Sequence, residues 1–130
     1  MEITFSQQEK PVPVTVMHIN GNVDSDSHEA FQQAAADCVA NGTRNLVIDL
    51  EHVPFMSSAG LRALNHIFNT LRDENETQDS MTNGIAKGSY KSSHLKLAAP
   101  SKRVMETLKM SGFDMFLEIF PNVSEALASF

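Results

Sequence analysis

The chain has 130 residues, 42% of them hydrophobic, a formal net charge of −6 and one cysteine. That length and apolar content suit one globular domain with a sizeable core. The acidic balance, with no Lys/Arg cluster interleaved with aromatics, excludes nucleic acid as the expected partner, because sequence-independent affinity for it comes mainly from neutralising phosphates. No apolar run approaches the roughly 18 residues of a membrane span, no basic and apolar leader opens the chain, and a lone Cys38 forms no intrachain disulfide. The expected setting is cytoplasmic, without membrane insertion, and the acidic surface suits a partner with a basic docking face.

Ile3 to Gln7 alternates and predicts an edge strand, and Val12 to Ile19, carrying Val12, Val14, Val16 and Met17, predicts a longer one. Pro11 and Pro13 fit an edge or a turn, where a missing N–H is tolerated. Asn20-Gly21-Asn22 predicts a turn. Asp24, Ser25, Asp26 and Ser27 crowd the start of a helix running to about Ala40, with Phe31, Ala34, Ala35, Cys38 and Val39 on its inward face. Cys38 is thus expected as a small core residue, not a reactive thiol. Asn41-Gly42 closes the helix, since a glycine accepts the left-handed conformation common just past a helix end.

Asn45 to Leu71, NLVIDLEHVPFMSSAGLRALNHIFNTL, carries the strongest pattern in the chain. Asn45 to Leu50 is mostly apolar and partly β-branched, the signature of a strand covered on both faces. Pro54 interrupts it, and Phe55-Met56 is expected to bring the chain back under cover. Leu61, Leu64, Ile67, Phe68 and Leu71 then recur at helical spacing, which predicts a helix with one buried stripe. Between strand and helix lie Ser57, Ser58, Ala59 and Gly60. Either serine is a competent N-cap for the free N–H groups of the first turn. Small neighbours also leave the hydroxyls open to a partner, and a phosphate there would sit beside the positive end of the helix.

Glu74 to Ser93, ENETQDSMTNGIAKGSYKSS, is rich in small polar and charged residues and reads as a mobile surface loop. Tyr90, with Lys87 and Lys91 nearby, marks its only aromatic position. Leu95-Lys96-Leu97 resumes the pattern as a strand. Pro100-Ser101 starts a further helix with Val104, Met105 and Leu108 inward, ending at Gly112. Phe113, Met115, Leu117, Ile119 and Phe120 predict a last strand stopped by Pro121, and Val123, Ala126, Leu127 and Phe130 a closing helix. Strands alternating with helices predict an α/β layered domain over residues 1–130: a mostly parallel sheet of about five strands, the first at the edge, with about four helices.

Nothing in the sequence assembles a catalytic or cofactor site. His18, His28, His52, His66 and His94 include no i, i+4 pair on one helix and no Cys/His cluster, so no metal is expected. A nucleophilic serine after a strand calls for Gly-x-Ser-x-Gly, and here Gly60 follows Ser58 while Met56 stands where the first glycine belongs. Gly84 to Gly88 lacks the Gly-Lys-Ser/Thr ending of a nucleotide-binding loop. The chain is expected to bind rather than to catalyse, with no cofactor.

Ile48-Asp49-Leu50 followed by Val53-Pro54-Phe55-Met56-Ser57-Ser58-Ala59-Gly60-Leu61 resembles the signature of the STAS domain family, which includes domains of sulfate transporters and the anti-sigma factor antagonists. Asn20 to Asp24 resembles the family's early Gly-x-aliphatic-Asp turn, Leu95 to Phe113 its later strand and helix, and Val123 to Leu127 its terminal helix. The resemblance covers nearly the whole chain except Glu74 to Ser93. It implies an antagonist that binds an anti-sigma factor which is also a serine kinase, with a serine phosphatase reversing the modification. Ser58 matches the phosphorylated serine, Gly60 the glycine and Leu61 the first helix anchor, and Ser57, standing where the family usually has aspartate, is the second candidate hydroxyl. The partner face implied is Asp24, Ser57, Ser58, Ala59, Gly60 and Leu61. Members of the same family also serve, without phosphorylation, as accessory subunits of lipid-transport or other membrane transport complexes, or as small-molecule-binding regulatory modules.

Overall fold

In the computed structural model, which describes residues 1–9, 11–72 and 92–130, five strands form one sheet in the order β1-β2-β3-β4-β5. They are β1 (Glu2–Gln8), β2 (Val14–Asn20), β3 (Leu46–His52), β4 (Leu95–Ala98) and β5 (Glu118–Phe120). β1 pairs antiparallel with β2 at the edge, and every later pairing is parallel. Four helices accompany them: α1 (His28–Ala40), α2 (Ser58–Leu71), α3 (Lys102–Met110) and α4 (Val123–Ala128). This is the layered architecture that the alternation of patterns predicts.

The two faces of the sheet are covered unequally. On one, Met17, Ile19, Leu46, Ile48, Leu50, Leu95 and Leu97 meet Phe31 and Ala35 of α1, the apolar stripe of α2, and Val104 and Leu108 of α3 in a single core. On the other, Val14, Val16, Val47 and Ala98 meet Ala126 of the short α4. Leu46 to Leu50 is therefore buried throughout, which is why its sequence shows no alternation. Fully burying each of the aliphatic side chains Leu46, Val47, Ile48 and Leu50 contributes roughly 1.5–3 kcal/mol, so β3 is the structural axis of the domain.

Several elements differ in detail from what the residues predict. β2 begins at Val14, not Val12, because Pro13 has no N–H to give the ladder, and Val12 is left exposed. Cys38 and Leu61 are half-buried at the border of the core, not inside it, and Phe55 is half-buried too. The apolar run Phe113 to Phe120 is not one strand. Gly112, at φ 79°, reverses the chain, and a 3₁₀ turn over Phe113–Met115 follows. Phe116 then stacks on Phe68 (ring centroids 4.9 Å apart) and Phe113 (5.2 Å), so only Glu118–Phe120 is left to pair with β4. Aromatic packing against α2 outweighs β propensity there. The predicted loop at 74–93, with Tyr90, Lys87 and Lys91, lies outside the described residues except for Ser92 and Ser93. Ser92 is buried, and its N–H donates to the Phe116 carbonyl at 2.9 Å.

Candidate functional site

The chain leaves the C-terminal ends of β2 and β3 side by side, the pole at which open parallel sheets place their sites. Beyond the strands the two segments continue to pair. The Gly21 N–H donates to the His52 carbonyl at 2.9 Å, the Val23 N–H to Phe55 at 3.0 Å and the Ser57 N–H back to Val23 at 2.9 Å. Val23 and Met56 form a parallel bridge, and both are buried. The turn holding Asp24 is thereby tied to the corner holding Ser57 and Ser58, although 33 residues separate Asp24 from Ser57 in the sequence.

The close approach depends on Gly60. A Cβ built there would lie 2.6 Å from the Val23 carbonyl oxygen, 2.8 Å from Met56 Cγ and 3.0 Å from Val23 Cγ1. Any side chain would push α2 off the Val23 segment. Ala59, 7% exposed, fills the remaining space.

The two serines have different roles. Ser57 is the N-cap: its extended backbone (φ −85°, ψ 177°) turns its hydroxyl oxygen to accept the Gly60 N–H at 3.3 Å, and its carbonyl accepts the Leu61 N–H at 2.9 Å. Ser58 is the first helical residue, exposed, with no hydrogen bond to its hydroxyl among the described residues. Its neighbours on the outer face include Arg62, one helical turn further on and also exposed.

Asp24 is half-exposed and shapes its own turn. Its Oδ1 accepts the Asp26 N–H at 3.0 Å, its N–H donates to Ser27 Oγ at 3.0 Å, and the Ser27 hydroxyl donates to the Asn22 carbonyl at 2.7 Å. Ser27 occupies the N-cap of α1 yet spends its side chain on this turn, so the Asp24 carbonyl, accepting the His28 N–H at 2.8 Å, closes the helix start. The structure thus brings Asp24, Ser57, Ser58, Ala59, Gly60 and Leu61 to one end of the domain, with Ala59 and Gly60 buried beneath the serines.

Two neighbours of the corner escape sequence reasoning. The Arg103 guanidinium of α3 lies 4.7 Å from the centre of the Phe55 ring and covers the flank of the corner. Beside Leu61 a groove of about 380 Å³ runs between Leu61, Arg62, Asn65 and His66 of α2 and Ser111 and Phe113 after α3. A larger cavity of about 430 Å³ lies at the opposite pole, against Val14, Thr15, Thr43 and Asn45. Among the described residues, no three His, Cys, Asp or Glu side chains stand close enough to hold a metal ion, and no helix is long and apolar enough to cross a membrane.

A family model for the STAS domain matches residues 6–77. No match was found among curated protein sequences. Among solved structures, a candidate anti-sigma factor antagonist of Thermotoga maritima superposes with a TM-score of 0.74 at 16% identity, over 97% of this chain and 92% of that one. An anti-sigma factor antagonist of Mycobacterium paratuberculosis gives 0.69 at 23%, over 98% and 93%. The antagonist SpoIIAA gives 0.65 at 17% in its unphosphorylated form, over 95% and 93%. The phosphorylated form, from Bacillus, gives 0.59 at 16%, over 96% and 97%. At these identities the likeness is one of fold.

Proposed function

The chain belongs to the STAS domain family, and from that membership we propose that it is an anti-sigma factor antagonist whose binding is switched by phosphorylation of Ser58. The observation that carries this reading is the division of labour at the corner: the Ser57 hydroxyl is held by the cap, while Ser58 presents its hydroxyl to solvent at the first turn of a helix anchored by a buried stripe. A kinase needs a reachable hydroxyl, and Ser58 is the exposed one of the pair. The fold it shares with SpoIIAA, a protein with phosphorylated and unphosphorylated forms, supports the same reading.

Unmodified, the corner is small, with Asp24 beside it, and Leu61 with the adjoining groove extends the apolar part of the face. Partner binding through this face sequesters an anti-sigma factor and frees the sigma factor for transcription, in the cytoplasm and without catalysis by this chain. A phosphate on Ser58 would add roughly 1.5–2 negative charges in the centre of the face, and the partner would meet repulsion, desolvation cost and bulk. The modifying kinase is proposed to be the anti-sigma factor itself, and a serine phosphatase restores the binding form.

Intact-mass and fragment-ion spectrometry of the protein from its native host, in more than one growth state, tests the modification. Phosphate at Ser58 that changes with growth state is expected. A chain unmodified in every state, and equal partner affinities for Ser58→Ala and Ser58→Asp, would overturn the switch and leave a constitutive binding subunit.

A further inference from the structure

On the thinly covered face of the sheet, three side chains from adjacent strands form a hydrogen-bonded line. Asp49 of β3 is 6% exposed, and its Oδ2 lies 2.7 Å from His18 Nδ1 on β2. His18 Nε2 lies 2.8 Å from the hydroxyl of Ser6 on β1. The other Asp49 oxygen, Oδ1, accepts the Glu51 N–H at 3.1 Å. A carboxylate only accepts, so the proton of the neutral ring sits on Nδ1, and Nε2 is left to accept from the Ser6 hydroxyl. The register puts all three on one face: His18 is opposite Asp49 across β2 and β3, and Ser6, opposite Val16, is the diagonal neighbour of His18, whose directly opposite residue on β1 is Thr4.

We propose that Ser6 is a base-activated acyl acceptor, a modification site separate from the corner and taking activated carboxylic esters or thioesters. The order from inside to outside is that of an activated nucleophile: a buried carboxylate, an imidazole 35% exposed, and an exposed hydroxyl. A purely structural brace has no need of the last member, because an exposed serine is satisfied by water. In the step, Ser6 Oγ attacks the acyl carbon, its proton passes to His18 Nε2, the bond from acyl carbon to leaving group breaks, and the alcohol or thiol departs with that proton. No electron transfer is involved. His18 is the general base, and Asp49 is a positioning residue that fixes the ring and its tautomer. A positioned base contributes about 10²–10⁴ in rate, which suits slow covalent marking of one serine.

The test treats the full chain with p-nitrophenyl acetate near neutral pH and locates acetyl groups by fragment-ion mass spectrometry. Ser6 is expected to be acetylated at least about 100-fold faster than Ser25, an exposed serine of the Asp24 turn. His18→Gln should bring Ser6 down to the Ser25 rate with the thermal midpoint kept. In His18→Gly, added imidazole should restore the excess of Ser6 over Ser25 labelling, a selectivity that neither a structural brace nor general acetyl transfer by imidazole would give. Asp49→Asn should lower the maximal labelling rate and leave the half-saturating ester concentration unchanged. Labelling of Ser6 no faster than Ser25 in the unaltered chain overturns the proposal, and so does a Ser6 rate that His18→Gln leaves untouched.

Discussion

The Ser57 hydroxyl accepts the Gly60 N–H while that of Ser58, one position on, is exposed, and this difference separates stability from the proposed switch at the corner. Ser57→Ala removes a cap and is expected to cost about 1 kcal/mol in urea unfolding, with Ser58 still available to a kinase. Ser58→Asp places a carboxylate at the positive end of α2, one turn from Arg62, and is expected to leave stability unchanged or raise it by about 0.3–1 kcal/mol. Loss of partner binding in that variant would then come from the face and not from unfolding. The Cys38 ionisation is clearly displaced: burial first, and the neighbouring Asp37 carboxylate second, raise its thiol above the ordinary value. Its thiolate is therefore scarce near neutrality, and iodoacetamide should alkylate it more slowly in the native chain than in urea. Because the unfolded thiol ionises first as pH rises, this group's contribution to stability is present below the ordinary thiol range and is lost above it. Cys38→Ser should accordingly flatten the alkaline limb of the stability profile.

Helix α2 is placed by contacts at both ends of its stripe. Leu64 is fully buried in the main core, and Leu64→Ala should cost about 2–5 kcal/mol by denaturant titration, the usual range for a buried leucine. Gly60→Ala is more diagnostic. Alanine favours helix by about 1 kcal/mol over glycine, yet its methyl would sit against the Val23 carbonyl, a backbone atom held by its own hydrogen bond from Ser57. The net effect is expected to be a loss of about 1–3 kcal/mol, as for other overpacked sites. It should come with a larger loss of partner affinity, because the Asp24 turn and the Ser58 hydroxyl are moved apart. A variant as stable and as competent as the parent would show that the close approach is dispensable.

Across the molecule, stability and charge are distributed unevenly. β3 is the central strand with its first five residues buried, whereas β1 is an edge strand that lacks a neighbour on its outer side among the described residues. Native-state hydrogen exchange should protect the β3 amides most and release β1 first. The net charge of −6 suits a partner with a basic docking face, so binding to the proposed anti-sigma factor partner should weaken with added salt, mostly through a slower association rate. An affinity independent of salt would remove the acidic surface from the account of docking.

Much of this was legible in the residues, because periodicity along a chain reports which side of an element is buried. The unbroken apolar run of β3, the stripe of α2, the Ser101 cap, the glycine after α1 and the Ser-Ser-Ala-Gly corner all follow from local spacing, and together they specify an α/β layered fold. What spacing leaves open is set by register between segments distant in the chain. Which serine caps α2, the bridge from Val23 to Met56, the Arg103 stack on Phe55, and the line from Ser6 through His18 to Asp49, with sequence separations of 12 and 31 residues, are all of this kind. A one-residue slip between β2 and β3 would turn His18 to the opposite face from Asp49, and no pattern within either strand records that choice. Pairing across the sheet fixes it, because a one-residue slip would turn the large side chains of one strand away from the helices.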